Sequence, residues 1–243
     1  MERAHRSAIA TFFAPGAWNG DVELSESAAH HASVKRLNVG DPVRLSSGDG
    51  RRARGTISEL VKRRLTVALD ADSMEHVPAP SHVELWAPVG DRDRMLLLAE
   101  KAVELGASVW RPIVYQRSRS VTPRGEGDAF REKTRLRMIG ALEQSGSAWM
   151  PDCAPESSLE AALRSESGLD GVLLDVGGAP LATLPGLAGA HIALALGPEG
   201  GLTDDERASF SAAGWRTASL GTNVLRFETA GIAALAMIRA LTT

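Results

Sequence analysis

An apolar run near the carboxyl end passes through a glycine-rich turn into a helix-like segment, an arrangement that can bind a small ligand. The run at 192–196 is followed by Gly197-Pro198-Glu199-Gly200-Gly201, and a helix is predicted over 204–213 with Thr203 and Glu206 at capping-box spacing. Because glycine has no side chain, a ligand can approach such a turn closely enough to bind its backbone groups. The turn alone is weak evidence, since a glycine-rich turn after a strand is more often a tight connection.

A second crossing of the same kind follows along the chain. A strand-like run ends at Leu220, the segment from Gly221 to Phe227 forms a turn, and a helix is predicted over 228–241. Ligands of open α/β sheets bind at the carboxyl ends of the strands, so both turns could form one pocket. Arg226 is the charged candidate for that pocket, and a salt bridge to Glu228 or another surface acid is the alternative interpretation of its position.

Neither turn has the spacing of a known phosphate-binding motif. The sequence contains neither the G-x-x-x-x-G-K-[ST] pattern of a P-loop at these turns nor the G-x-G-x-x-G pattern of a dinucleotide site. Phosphoryl transfer and hydride transfer are therefore disfavoured. A Ser/His/Asp hydrolase is weaker still, because no G-x-S-x-G elbow occurs. An α/β enzyme that uses another nucleotide cofactor remains a rival interpretation.

The elements that would position these turns fall into two groups. Short strand-like runs separated by Gly, Asp and Ser turns occupy 39–70 and predict a small β-rich domain at 1–72. A proline-containing linker is predicted at 73–81. From 82 to 243, apolar strand-like runs alternate with helix-like runs, which predicts an α/β domain with a mainly parallel sheet. The predicted helices span 93–104, 129–145, 158–164, 204–213 and 228–241.

The composition is typical of a folded, water-soluble protein of 243 residues, with 44% hydrophobic and 23% charged residues. The single cysteine, Cys153, excludes an internal disulfide, and no His/Cys spacing predicts a metal site. The longest apolar stretch, 230–241, is interrupted by Arg239 and is shorter than the roughly 20 residues of a membrane span. The amino terminus lacks the apolar core of a signal peptide. A cytoplasmic protein without a membrane segment or a metal is expected.

The charge distribution predicts a polyanionic partner despite a net charge of −3. The segment 35–64 holds nine Lys or Arg residues against three acids, and the segment 111–137 holds eight against three. Two separate basic segments favour a nucleic acid as the partner. The alternative, at about even odds for either segment, is that these are solvated surface charges.

Several segments together resemble the RsmE family of SPOUT methyltransferases. GPEGGLTDDE at 197–206 and LGTNVLRFETA at 220–230 are similar to the paired carboxy-terminal signatures of that family. Further similarities are the E-K-x-x-E-L-G segment at 100–106, the P-x-x-x-x-R-S segment at 112–118, the E-Q-S segment at 143–145, and the H-x-x-x-V-x-R…G-D pattern at 30–41. The resemblance covers nearly the whole chain in order. One departure is Ser147-Ala148-Trp149, where the family usually has basic residues, so an RNA or subunit contact could differ there.

The resemblance implies a fold, a cofactor and a reaction. The implied fold is a PUA-like β-barrel domain that binds RNA, followed by a SPOUT domain whose trefoil knot binds S-adenosylmethionine (SAM). The implied reaction is methylation of N3 of a uridine in small-subunit ribosomal RNA, usually by a homodimer. A noncatalytic RNA-binding protein of ribosome assembly that kept this fold is the alternative.

The resemblance also implies the site residues. The cofactor would be bound by Leu174, Leu196, Gly197, Pro198, Glu199, Gly200, Gly201, Leu220, Gly221, Val224, Leu225 and Thr229. Ribosomal RNA would be contacted by Lys35, Arg36, Arg51, Arg52, Arg117, Arg119 and Gln144.

The chemistry of the implied reaction selects the catalytic candidates. Uracil N3 carries a proton that must be removed, so the site should stabilise an anionic base. Arg226 is the predicted cation, and Glu199 or Glu228 is the predicted proton acceptor. At the start of a helix, Glu228 could instead serve only to favour the helix dipole. Among the tryptophans, Trp86, Trp110 and Trp215 lie in strand-like runs and are predicted in the core, while Trp18 and Trp149 could stack on bases.

Overall fold

The computed structural model describes residues 9–120, 124–165, 168–187 and 191–242, without the side chains of residues 119 and 120. The described residues form two compact units. The first unit extends to Ala79 and also includes Leu142–Trp149. The second unit consists of Pro80–Ala141 and of the chain from Met150 onward.

The first unit is built on a six-stranded sheet. Its elements are β1 (Ala10–Phe13), β2 (Val22–Leu24), α1 (Glu26–Val34), β3 (Pro42–Ser46), β4 (Arg51–Val61), β5 (Arg64–Leu69) and β6 (Glu75–His76). The strand order is β1-β3-β4-β5-β2, with β6 paired to β4, and β1–β3 is the parallel pair in an otherwise antiparallel sheet. Alternate residues of β4, namely Ala53, Gly55 and Ile57, are buried, as expected for a sheet with one face on a core.

The second unit contains a seven-stranded sheet in which every pairing is parallel. Its order is β10-β8-β7-β12-β11-β13, with β9 paired to β8. The strands are β7 (Val83–Pro88), β8 (Val109–Val114), β9 (Asp152–Cys153), β10 (Ser157–Ser158), β11 (Asp170–Pro180), β12 (Ile192–Leu196) and β13 (Arg216–Ser219). The helices are α2 (Arg92–Glu104), α3 (Asp128–Ser145), α4 (Leu159–Ser165), α5 (Asp204–Ala212) and α6 (Phe227–Thr242).

The predicted fold class is confirmed: a small β domain precedes an α/β domain with a parallel sheet. The central strands β7 and β12 are buried along their whole length, which is why they appear in the sequence as continuous apolar runs. Trp86 and Trp110 lie in the core as predicted, and the half-buried Trp215 packs against Trp86 with 4.6 Å between ring centroids. The trefoil knot stays a prediction.

The carboxy-terminal helix packs inside its own unit. The buried residues of α6 include Gly231, Ala234, Leu235 and Ile238, and the helix contacts α2 and β12. A Cβ at Gly231 would lie 2.7 Å from a methyl carbon of Leu98, so glycine permits the close approach of α6 to α2. The buried side of α6 therefore belongs to the core of the second unit.

The units differ from the predicted division in two places. The segment predicted as a linker, 73–81, contains β6, which pairs with β4 in the first unit. Leu142–Trp149, predicted within the second domain, belongs to the first unit. There the Glu143 carboxylate accepts the Phe13 amide at 3.0 Å and lies 2.8 Å from Nδ1 of His31.

The residues that depart from the family pattern, Ser147-Ala148-Trp149, are bonded to the same unit. The Ala148 carbonyl accepts the Gly50 amide at 2.9 Å, and the Trp149 indole donates to the Val77 carbonyl at 3.1 Å. The Trp149 ring also makes an edge contact with His76 at 5.9 Å between centroids. These contacts give the segment a structural role in the first unit.

Candidate active site

A pocket lies at the carboxyl ends of β12 and β13 and beside the middle of β11. It is bordered by two glycine-containing turns, which we call the first loop (residues 197–202) and the second loop (residues 221–226). The predicted cofactor residues that line it are Leu174, Leu196, Gly197, Pro198, Gly201, Leu220, Gly221, Val224 and Leu225. The structure thus places both turns at one pocket, as the strand-turn-helix pattern predicted.

The remaining predicted cofactor residues do not line this pocket. Glu199 and Gly200 belong to the first loop but contact other elements, since Glu199 lies against Gly90 and Gly200 against Arg117. Thr229 is exposed in the first turn of α6. Their assignment to the cofactor stays a prediction.

Four polar residues that the sequence analysis did not single out also line the pocket: Asp175, Arg207, Ser219 and Asn223. Oδ2 of Asp175 lies 2.9 Å from Nη2 of Arg207, whose Nη1 donates to the Leu202 carbonyl at 3.0 Å. Asp175 lies where the pairing of β11 with β13 shifts register, and such irregularities redirect side chains. Its position directly after the apolar run 172–174 was the available signal for this residue.

Glu206 fixes the first loop from the start of α5. Its Oε2 accepts the Thr203 amide at 2.8 Å, while Oγ1 of Thr203 accepts the Glu206 amide at 3.2 Å, which completes the predicted capping box. Oε1 of Glu206 accepts the Gln116 amide at 2.7 Å. The carboxylate is buried, with the residue 8% exposed, so it joins the start of α5 to the segment after β8.

Arg117 holds the same loop through its backbone carbonyls. Nη1 of Arg117 donates to the Gly200 carbonyl at 3.1 Å and to the Leu202 carbonyl at 3.3 Å. Gly200 must lack a side chain, because a Cβ there would lie 2.9 Å from Cβ of Arg117. Gly201 has φ of +72°, which favours glycine. RNA contact by Arg117 stays a prediction, and in the structure its Nη1 donates to the first loop.

The two predicted proton acceptors flank one arginine, Arg94 of α2. Nη1 of Arg94 lies 3.7 Å from Oε1 of Glu199, and Nε of Arg94 lies 3.9 Å from Oε1 of Glu228. Oε1 of Glu199 also accepts the Asp91 amide at 3.4 Å. Arg94 was not predicted from the sequence. The available signal was a third strand-to-helix crossing, in which Asp91 caps α2 directly after the strand-like run that ends at Val89.

Glu228 and Arg226 have opposite environments. Glu228 is 8% exposed, and its Oε2 is buried without a hydrogen-bond partner among the described residues. Arg226 is exposed, and within the described ranges its side chain forms no hydrogen bond or ion pair. The alternative interpretation of Arg226, a salt bridge to Glu228, is therefore not the arrangement observed.

Comparison with known families identifies the second unit. The family model described as the RNA methyltransferase domain matches residues 77–239. The chain belongs to this RNA methyltransferase family. A second model, the RNA methyltransferase PUA domain, matches residues 24–70 in the first unit of the methyltransferase.

Individual relatives of the methyltransferase agree with the family models. Ribosomal RNA small subunit methyltransferase E of Bacillus subtilis is 26% identical over 88% of this chain and 87% of its own length. The corresponding protein of Rickettsia conorii is 27% identical, over 92% and 91%. The crystal structure of a ribosomal RNA small subunit methyltransferase E from Neisseria gonorrhoeae, bound to S-adenosyl methionine, is similar with a TM-score of 0.85, 26% identity and coverage of 96% and 98%. The resemblance to the RsmE family is confirmed.

Two predicted RNA-binding residues of the methyltransferase are already ion-paired. Nη2 of Arg51 lies 2.7 Å from Oδ2 of Asp49, and the Arg51 guanidinium lies 5.5 Å from the ring centroid of Trp18. Arg51 and Ser47 hold the pKa of Asp49 well below its usual range. Nη2 of Arg52 lies 3.0 Å from Oε1 of Glu75.

The other predicted RNA-binding residues, besides Arg117, are Lys35, Arg36, Gln144 and Arg119. Lys35 and Arg36 are exposed at the end of α1, and Gln144 is exposed near the end of α3. The side chain of Arg119 lies outside the described residues. RNA contact by any of them stays a prediction.

No group of three or more His, Cys, Asp or Glu residues in the described ranges could hold a metal ion. No helix among the described residues is long and apolar enough to cross a membrane.

Proposed function

We propose that this methyltransferase transfers a methyl group from SAM to N3 of a uridine in small-subunit ribosomal RNA. The observation that carries the proposal is one pocket bordered by two glycine loops, beside Arg226, whose side chain has no partner among the described residues, and the buried carboxylate of Glu228. The names of the relatives support the choice of cofactor and of ribosomal RNA. The choice of N3 rests on the resemblance and on the side chains around the second loop.

The residues of the pocket fit SAM chemically. Apolar side chains of Leu174, Leu196 and Leu225 suit an adenine ring, and the backbone of the first loop offers amide and carbonyl groups. The Asp175 carboxylate suits a ribose hydroxyl or an ammonium group. When bound, SAM supplies an electrophilic methyl group on its sulfonium.

Arg226 is proposed to stabilise the deprotonated uracil. Loss of the N3 proton places negative charge on the base, which a guanidinium can stabilise by donating hydrogen bonds to its carbonyl oxygens. Arg226 is suited to this role because its donors are not used by the described residues.

Glu228 is proposed as the proton acceptor, with Glu199 as the second candidate. A buried carboxylate oxygen without a hydrogen-bond partner is costly, and a donor from the substrate would satisfy it. Arg94 would orient both carboxylates, since it lies between them. The dipole of α6 also favours a carboxylate at the position of Glu228.

We further propose that the enzyme is a cytoplasmic homodimer that acts on the small ribosomal subunit or its RNA. Val224 and Leu225 of the second loop are 85% and 38% exposed, and a second copy of the chain could bury them. A cytoplasmic location follows from the proposed substrate.

The test is to incubate the purified protein with SAM and with small-subunit ribosomal RNA, free or assembled, from cells that lack this enzyme. Mass spectrometry of the digested RNA should find one new methyluridine, with the methyl on N3. A methyl on the ribose or on C5 would contradict the proposed target atom. Binding of RNA without SAM binding, measured by isothermal titration, would favour the noncatalytic alternative.

A further inference from the structure

Two arginines lie side by side on the outer face of the first unit. β3 and β4 pair antiparallel with Arg44 directly opposite Arg54. Their neighbours along the strands, Val43, Leu45 and Ala53, are buried, so the two arginines belong to the opposite face. Side chains at directly opposed positions of an antiparallel pair are close neighbours.

The charges of these two arginines are not neutralised within the described part of the chain. Neither Arg44 nor Arg54 has an acidic oxygen within ion-pair distance among the described residues. By contrast, Arg51, Arg52, Arg63 and Arg64 of the same unit are paired with Asp49, Glu75, Glu26 and Glu59, respectively. Like charges directly opposed on a sheet are destabilising. An anionic ligand would remove that cost.

The pair borders a depression with a volume of about 350 Å³. Arg52 lines it too and is held in place by Glu75 and by the Gly146 carbonyl, which accepts Nη1 of Arg52 at 3.2 Å. Asp70 and Asp72 also line the depression. Their carboxylates repel anions, so they would confine an anionic ligand to the part between Arg44 and Arg54.

We propose that Arg44 and Arg54 together bind one backbone phosphate of the RNA substrate. A guanidinium group can donate two parallel hydrogen bonds to the oxygens of a phosphate, and two guanidinium groups can bind one phosphate. The proposal rests on the proposed function for the identity of the polyanion. It differs from the sequence-based prediction, which chose Arg51 and Arg52, because both of those already have acidic partners.

The test measures the binding of small-subunit ribosomal RNA to the full chain at several salt concentrations. Each phosphate contact that is lost should lower the slope of log affinity against log salt by about one. Arg44→Gln and Arg54→Gln should each weaken binding but change the slope little, because the other arginine still contacts the phosphate, and the double variant should lower the slope by about one. Arg63→Gln and Arg64→Gln are matched controls that remove one paired charge each from the same unit, and they should leave the slope unchanged.

Two further readouts separate this site from a general charge effect and from the catalytic proposal. The double variant should raise KM for RNA but keep kcat and SAM affinity, and its thermal midpoint should not fall, because the opposed charges are gone. The double variant Arg44→Lys/Arg54→Lys, which keeps both charges, should retain the slope. Methyl transfer by the wild type tests the proposed function separately, since RNA binding and its slope can be measured without turnover.

Two outcomes overturn the proposal. An unchanged slope in the double variant, or an equal loss of slope in the Arg63 and Arg64 controls, singly or combined, would show that Arg44 and Arg54 have no specific role. Inorganic phosphate is the second probe: if it stabilises the wild type but not the double variant while the RNA slope is the same in both, the site binds a free anion and not RNA.

Discussion

The first and second loops border the same pocket but are fixed to very different extents. The first loop is held by Arg117 and Arg207 at its carbonyls and by Glu206 at the helix that follows it. In the second loop, residues 221–226 are all exposed, and none of their side chains has a hydrogen bond or ion pair with another described residue. A preorganised loop binds a ligand at lower entropic cost. A loop whose side chains have no partners keeps its hydrogen-bond donors available for a ligand.

This difference suggests that the two loops have different functions. The first loop would present a fixed surface to the cofactor, and the second would supply Arg226 to the base. Substitutions in the second loop should therefore affect kcat, while substitutions around the first loop should affect stability and cofactor affinity.

The largest effect is expected from Arg226→Ala in the second loop. Loss of a group that stabilises developing negative charge lowers kcat by about 10²–10³. The dissociation constant for SAM should stay within about twofold, because the Arg226 side chain is exposed and does not line the pocket. Single-turnover methyl transfer and isothermal titration measure the two quantities.

Arg164→Ala is the matched control, since Arg164 is another exposed arginine of the second unit without an ion pair among the described residues. It should keep full activity. Wild-type rates in Arg226→Ala would remove the catalytic role of the second loop.

The next largest effect is expected from Glu206→Ala, which releases the first loop. The substitution leaves the Gln116 and Thr203 amides without their acceptor, so the free energy of unfolding should fall by about 2–3 kcal/mol. SAM affinity should fall as well, because the loop loses its fixed position. Urea unfolding and isothermal titration provide the measurements.

Thr203→Ala separates the helix cap from the loop anchor. It removes the cap but keeps Glu206 on Gln116, so a loss of about 1 kcal/mol is expected, with a smaller change in SAM affinity. Equal losses in both variants would mean that Glu206 acts only as a cap.

Arg94→Met tests the contact that joins the two loops. Arg94 lies beside Glu199 of the first loop and beside Glu228, which follows the second. Without the cation both carboxylates can reorient, and kcat should fall about tenfold, equivalent to about 1.4 kcal/mol of transition-state stabilisation. Arg94→Lys should recover part of the rate. A merely structural residue would instead lower the thermal midpoint and leave kcat at saturating substrates unchanged.

The sequence predicted the parts of this site that depend on local pattern. The capping box predicted the start of α5, and the apolar runs predicted β7 and β12, because strands buried on both faces are apolar throughout. The convergence of the two loops followed from a general property of parallel sheets. Predicting these features requires only residues that are neighbours in the sequence or a general rule about the ends of strands.

Long-range partners were not predictable from pattern. Arg94 contacts carboxylates that lie far along the chain, and the Arg117 side chain, after β8, donates to backbone carbonyls of the first loop, after β12. Helix α1 was also missed, since its buried residues are the alanines Ala28, Ala29 and Ala32, which give little amphipathic signal.

The smallest effect is expected from Gly201→Ala in the first loop. Gly201 has φ of +72°, so an alanine there should cost about 1 kcal/mol of stability through backbone strain. Gly214→Ala is the matched control, with φ of +79° and no atom within 4 Å of an added Cβ. Both should lose similar stability in urea unfolding.

Only Gly201→Ala should also weaken SAM binding, because Gly201 lines the pocket and Gly214 does not. If the two variants bind SAM equally well, the shape of the first loop at Gly201 does not matter to the cofactor. The contacts that fix the first loop would then matter for folding alone. The cofactor would have to be recognised mainly by the strand ends and the second loop.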